Sequence, residues 1–125
     1  MTKSNLNVYT FPFFNSVKQP LTAPRISNSY WNNGFDTLSV EITGTRDITL
    51  TVQGCINTLD EDVRPKKDTE CEWTDLAVIS AADYSMTTEI SGKGIYFVGI
   101  TGCSRIRLNV TSVSGKATIL GNFSK

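Results

Sequence analysis

Apolar and polar residues alternate with a period of two along much of the chain. Leu38, Val40 and Ile42 alternate with Thr37, Ser39, Glu41 and Thr43, and a polar turn occupies 44–47. Ile48, Leu50 and Val52 then alternate with Thr49, Thr51 and Gln53. Successive side chains on a strand point to opposite faces, so this stretch predicts a β-hairpin with one apolar and one Thr-rich face. The design recurs near the C-terminus. There Ile106, Leu108 and Val110 alternate with Arg105, Arg107 and Asn109, Ser114-Gly115-Lys116 turns the chain, and 117–123 returns. Further strands are expected over Asn7 to Phe14, 75–80 and 83–90. The run 95–100 is almost wholly apolar, which predicts a central strand covered on both faces. No segment carries an i, i+3, i+4, i+7 stripe. Seven or eight strands separated by Gly turns predict an all-β fold, a single antiparallel β-sandwich. Long connections at 15–35 and 57–72 let strands change sheet, which favours a jelly-roll-like arrangement.

The first connection reads as an ordered loop and the second as a mobile one, both within a single domain. Residues 15–35 hold Pro20, Pro24 and several Asn together with Tyr30, Trp31 and Phe35, too many aromatics for a linker. Residues 57–72 carry six acids and three bases, which predicts a solvated, protruding loop. The domain reading is therefore an N-terminal segment and loop over 1–35, a sandwich core over 36–123, and a charged excursion at 57–72.

Composition narrows the chemistry. Lys and Arg number 12, as do Asp and Glu, so there is no basic surplus for nucleic acid or an acidic membrane surface. Histidine is absent, which removes Ser-His-Asp and Cys-His nucleophile systems and the usual zinc sites. Ser, Thr and Asn total 37 against 24 charged residues, a balance typical of β-rich surfaces. Cys55, Cys71 and Cys103 form no CxxC pair and are expected as reduced thiols, with a Cys55–Cys71 bridge as the alternative. Met1 to Tyr9 has no apolar core and no run of 18 apolar residues occurs, so neither a cleaved signal nor a membrane span is expected.

Few residues stand out as chemistry. Asp60-Glu61-Asp62 lacks the glycine and spacing of a calcium loop, and three neighbours on one loop cannot flank a glycosidic bond. Ser91-Gly92-Lys93-Gly94 precedes a strand, which excludes a phosphate-binding loop. No catalytic residue, metal or cofactor is expected. Tyr30 and Trp31 are candidates for stacking on a glycan, or for plugging one end of the core. Trp73 is expected in the core. Arg105 and Arg107 share the polar face of one strand and are expected to point outward, paired with Glu41, Asp47 or Glu89 or presented to a partner.

The run Gly94-Ile95-Tyr96-Phe97-Val98, followed by Gly102-Cys103-Ser104-Arg105-Ile106-Arg107-Leu108, resembles a β-sandwich domain of tailed-bacteriophage virion proteins. Head decoration or fibre proteins and tail or baseplate proteins carry that domain. The resemblance spans about residues 36–123 and implies no catalytic residues. It implies a non-enzymatic virion structural protein, made in the host cytoplasm. The leading expectation is a capsid decoration protein that binds the phage major capsid protein or another virion protein as a homo-oligomer. The alternative is a tail or baseplate adhesion module that binds carbohydrate through Tyr30 and Trp31. Phe11, Phe13 and Phe14, with Arg105 and Arg107, are the candidate partner-binding residues; the Phe rings are anchors if the N-terminal segment extends from the domain, and core if it does not.

Overall fold

The structure, a computed structural model, describes residues 8–14, 20–45 and 47–125, with side chains from Phe11 onward. Asn7, the expected start of the first strand, and Arg46 in the 44–47 turn lie outside the described residues.

Two antiparallel sheets pack face to face. The first contains β1 (Val8–Pro12), β4 (Thr37–Thr43), β7 (Val78–Ser80), β8 (Met86–Thr87), β10 (Gly94–Gly99) and β12 (Thr118–Ser124), in the order β1-β12-β4-β10-β7-β8. The second runs β2 (Arg25–Ile26), β11 (Arg105–Val113), β5 (Ile48–Cys55), β6 (Thr74–Asp75). Two short strands join its edges: β3 (Tyr30–Trp31) pairs with β11, and β9 (Glu89–Ser91) pairs with β5.

The predicted alternation is present, and it is what fills the core. Leu38, Val40 and Ile42 from β4 face Leu50 and Val52 from β5 and Ile106, Leu108 and Val110 from β11, all almost fully buried. At about 25 cal/mol per Å² of apolar surface removed from water, each such aliphatic side chain contributes roughly 1.5–3 kcal/mol.

The pairing differs from the expected hairpins. β4 hydrogen-bonds to β10 and β12, not to β5; β11 pairs with β5, not with β12. β4 and β5 lie in different sheets, as do β11 and β12, so the chain changes layer after β4 and again after β11. A strand with one apolar face satisfies its pattern equally well beside its neighbour or opposite it across the core, so alternation alone did not separate the two. The count also differs. Residues 74–80 split into β6 and β7 in different sheets, and the 15–35 connection contributes β2 and β3.

β10 is central, between β4 and β7, but only one of its faces is covered. Tyr96, Val98 and Ile100 point into the core, whereas Ile95 (44% exposed) and Phe97 (37%) stand on the outer face.

Candidate functional site

The N-terminal aromatics go inward. Phe11, Phe13 and Phe14 are buried, so none is available as a surface anchor. The segment is an edge strand on the first sheet, not an extension: Tyr9 pairs with Phe123, and Phe13 N–H donates to the Ile119 carbonyl at 3.1 Å. Phe11 stacks on Phe123 with centroids 5.0 Å apart and lies 4.8 Å from Phe13. Gly121 makes room for both rings. A Cβ there would sit 2.5 Å from Phe13 and 2.8 Å from Phe11. Tyr30 closes the same cluster at 4.4 Å from Phe11, and its hydroxyl donates to the Pro12 carbonyl at 3.1 Å. Tyr30 is thus a plug for the end of the core.

Trp31 takes the opposite role. It is one residue further along β3 and therefore on the other face, 47% exposed, opposite Arg105 in the β3–β11 register. The Arg105 guanidinium lies 4.3 Å from the centroid of its indole. Arg105 does not point into solvent as expected; it is 3% exposed. Its partner is none of the three acids expected. The guanidinium meets Asp68 at 3.3 Å and donates to the Cys71 sulfur at 3.4 Å.

The cause is the charged connection, only part of which protrudes. Residues 60–64 form a solvated turn, in which Asp60 Oδ1 accepts from the Asp62 and Arg64 N–H groups at 2.9 Å each. Residues 67–73 fold back across the outer face of the second sheet. Asp68 also accepts from the Ser29 hydroxyl at 2.6 Å, and the Trp73 indole N–H donates to the Asp68 carbonyl at 2.8 Å. Trp73 is half-buried on this outer face instead of in the core, with the Arg107 guanidinium 4.2 Å from its centroid. Arg107 donates from Nε to Gln53 at 2.8 Å, and partial burial lowers its pKa. Arg105 and Arg107 therefore share a face, as the alternation requires, but each is roofed by a tryptophan. Cys55 lies opposite Arg105 on β5, and burial, with Cys71 beside it, pushes its thiol up to about 11. All three cysteines are free thiols.

Two surface features remain open. The first is a cleft of about 400 Å³ bordered by Trp31, Phe35, Asp36, Thr101, Gly102 and Ser104. Its walls are tied together. Asn32 N–H donates to the Ser104 carbonyl at 2.9 Å, the Asn32 side chain spans the Phe35 and Ile100 carbonyls, and Thr101 donates to Asp36 at 3.2 Å. The second is the outer face of the first sheet. There Phe97 sits opposite Ile79, which pairs in turn with the exposed Met86, and Ile95 borders a shallow groove with Leu120.

Among the described residues no group of three or more His, Cys, Asp or Glu could hold a metal ion, and no helix is long and apolar enough to cross a membrane. A further cleft of about 460 Å³ is bordered by Asp47, Ile48, Thr49, Ser91, Ser112 and Val113.

No protein-family model and no curated protein sequence matches the chain. Two solved structures do. The SPBc2 prophage-derived protein YomS superposes with a TM-score of 0.73 at 19% identity, over 94% of this chain and 93% of that one. The PBSX exported protein XepA gives 0.72 at 14% identity, over 94% of this chain but 38% of its own length. The chain shares the fold of these two proteins. At such identities the likeness carries architecture and not activity. The chain matches YomS nearly end to end, whereas in XepA the same sandwich is part of a longer polypeptide.

Proposed function

We propose that this chain is a non-enzymatic bacteriophage virion protein that acts by attachment, a capsid decoration protein seated on the major capsid protein. The observation that carries the reading is β10, apolar on both faces with one face uncovered. Ile95 and Phe97, continued by Ile79 and Met86, leave an apolar strip across neighbouring strands. Ile and Phe suit a strand whichever way they face, but a contiguous exposed apolar strip of this kind marks a protein contact. The prophage origin of YomS, which shares the fold, supports the phage assignment. Zero net charge leaves no electrostatic barrier to packing many copies on one lattice. Contacts between copies, in a small symmetric oligomer, turn modest single-site affinity into lasting attachment. The protein is then made in the host cytoplasm and carried in the virion.

The test is co-sedimentation of the purified protein with capsids that lack it. Binding is expected for the wild type and lost in Phe97→Asp and Ile95→Asp, both of which keep their circular dichroism because these side chains stand outside the core. Absence of wild-type binding, or full binding by both variants, refutes the reading.

A further inference from the structure

We propose that the cleft beside Trp31 binds a neutral pyranose unit of an oligosaccharide, stacked on the indole and hydrogen-bonded along a rim formed by Asp36, Thr101 and Ser104. Three features of the site point to this ligand class.

The first is the indole itself. One side is fixed against the Arg105 guanidinium at 4.3 Å, and Arg105 is in turn held by Asp68 and Cys71. A tryptophan needed only to cover that cation could be shielded in turn by the neighbouring loop. This one remains 47% exposed and borders the cleft. Trp73, in the equivalent pairing with Arg107, is half-buried and borders none of the clefts described above. A rigid, flat apolar ring at a cleft wall suits the flat C–H face of a pyranose, and it does so without ordering cost.

The second is the rim. The Asp36 carboxylate and the Thr101 side chain are exposed, and both belong to segments locked by backbone hydrogen bonds, including Ile100 N–H to the Asp36 carbonyl at 2.9 Å. A carboxylate accepting from sugar hydroxyls makes stronger, shorter hydrogen bonds than a neutral acceptor. Apolar wall plus a few fixed polar groups is the usual make-up of a small-molecule site.

The third is charge. Among the residues lining the cleft, Asp36 is the one acidic or basic side chain, and the Arg105 cation is sealed beneath the indole. Anionic sugars and phosphates are disfavoured, and the rest of the lining, which carries no charge, suits a neutral ring. At two positions the wall is bare glycine: a Cβ added at Gly34 or Gly102 would meet nothing within 4 Å. The mouth is therefore open to a chain longer than one ring.

Trp31 stands on the second sheet, whereas Ile95 and Phe97 stand on the first, so this site is testable apart from capsid attachment. Chitotetraose, cellotetraose and maltotetraose are titrated into the full chain, with tryptophan fluorescence and calorimetry as readouts. At least one is expected to bind saturably. Asp36→Ala is expected to weaken it tenfold or more with unchanged circular dichroism and unchanged capsid co-sedimentation. Trp31→Ala is expected to abolish it, and Trp73→Phe to retain both binding and the fluorescence response. Because Trp31→Ala uncovers Arg105 and can unfold the chain, Asp36→Ala and Thr101→Val carry the decision in that event. Failure of all three sugars to bind the folded wild type overturns the assignment, as does affinity unaltered by Asp36→Ala and Thr101→Val.

Discussion

Phe13 and Gly121 give a sharp test of the aromatic cluster that closes the N-terminal end of the sandwich. Phe13 is 3% exposed, lies 4.8 Å from Phe11 and meets Tyr30 edge-on at 5.4 Å. Removing a ring so enclosed costs its transfer free energy plus the cavity left behind, about 3–5 kcal/mol for Phe13→Ala. With an unfolding entropy of about 2.1 cal/mol/K per residue, the Tm falls by roughly 11–19 °C. Gly121→Ala alone is expected to cost about 1–3 kcal/mol, because its methyl group would lie 2.5 Å from Phe13 and 2.8 Å from Phe11. In the double variant the nearer clash is gone and Phe11 can tilt into the vacated space. The double loss should therefore be smaller than the sum of the single losses by at least about 1 kcal/mol. Urea and thermal melts of the four proteins measure the cycle. Additivity to within about 0.5 kcal/mol, or a Phe13→Ala loss below about 1 kcal/mol, refutes the placement of this ring against Gly121.

Two further predictions concern the outer face of the second sheet. Asp68→Asn leaves the Arg105 cation buried without its counter-charge and is expected to cost about 1–3 kcal/mol, reduced from a fully buried pair because Asp68 is 33% exposed. Arg105→Met removes the charge and keeps an apolar stem beneath Trp31, so it should cost less; the reverse order in urea melts contradicts the geometry. The Cys55 thiol stays protonated in the folded chain to about 11 but ionises near 9.0 when unfolded. Its contribution to stability is therefore fully present below pH 9 and declines between pH 9 and 11, by at most about 2–3 kcal/mol. The difference in stability between wild type and Cys55→Ala across that window measures it, and a constant difference excludes it.

Most of the layer structure was legible in the residues. Period-two alternation placed Leu38, Val40, Ile42, Leu50, Val52, Ile106, Leu108 and Val110 inside, where all of them lie. Pairing was not legible, because alternation records which face of a strand is buried and not which strand lies beside it. The fate of Arg105 was hidden for a related reason. It and Arg107 carry the same positional signal, and only the return of Asp68–Trp73 across the sheet separates a buried cation from a half-exposed one. The composition of 57–72 masked that return, since a charge-rich stretch looks the same whether all of it or only 60–64 faces water. Tyr30 and Trp31 were legible as a pair of aromatics, but their division into plug and platform required the β3 register. The open face of β10 was half legible: its sequence demands two covered faces, and the fold supplies one.

The changes of layer between β4 and β5, β9 and β10, and β11 and β12 bear on how the molecule assembles. With consecutive long strands lodged in opposite layers, the described strands that follow one another in the chain pair only in short ladders, β7 with β8 and β5 with β6. Both layers must close around one another before much of the loop-closure entropy is recovered, which places this chain among slowly folding topologies, on the millisecond-to-second scale. Segments emerging during synthesis carry unsatisfied edges until β12 arrives to join β1 to β4, so the last seven-residue strand acts as the keystone of the first layer.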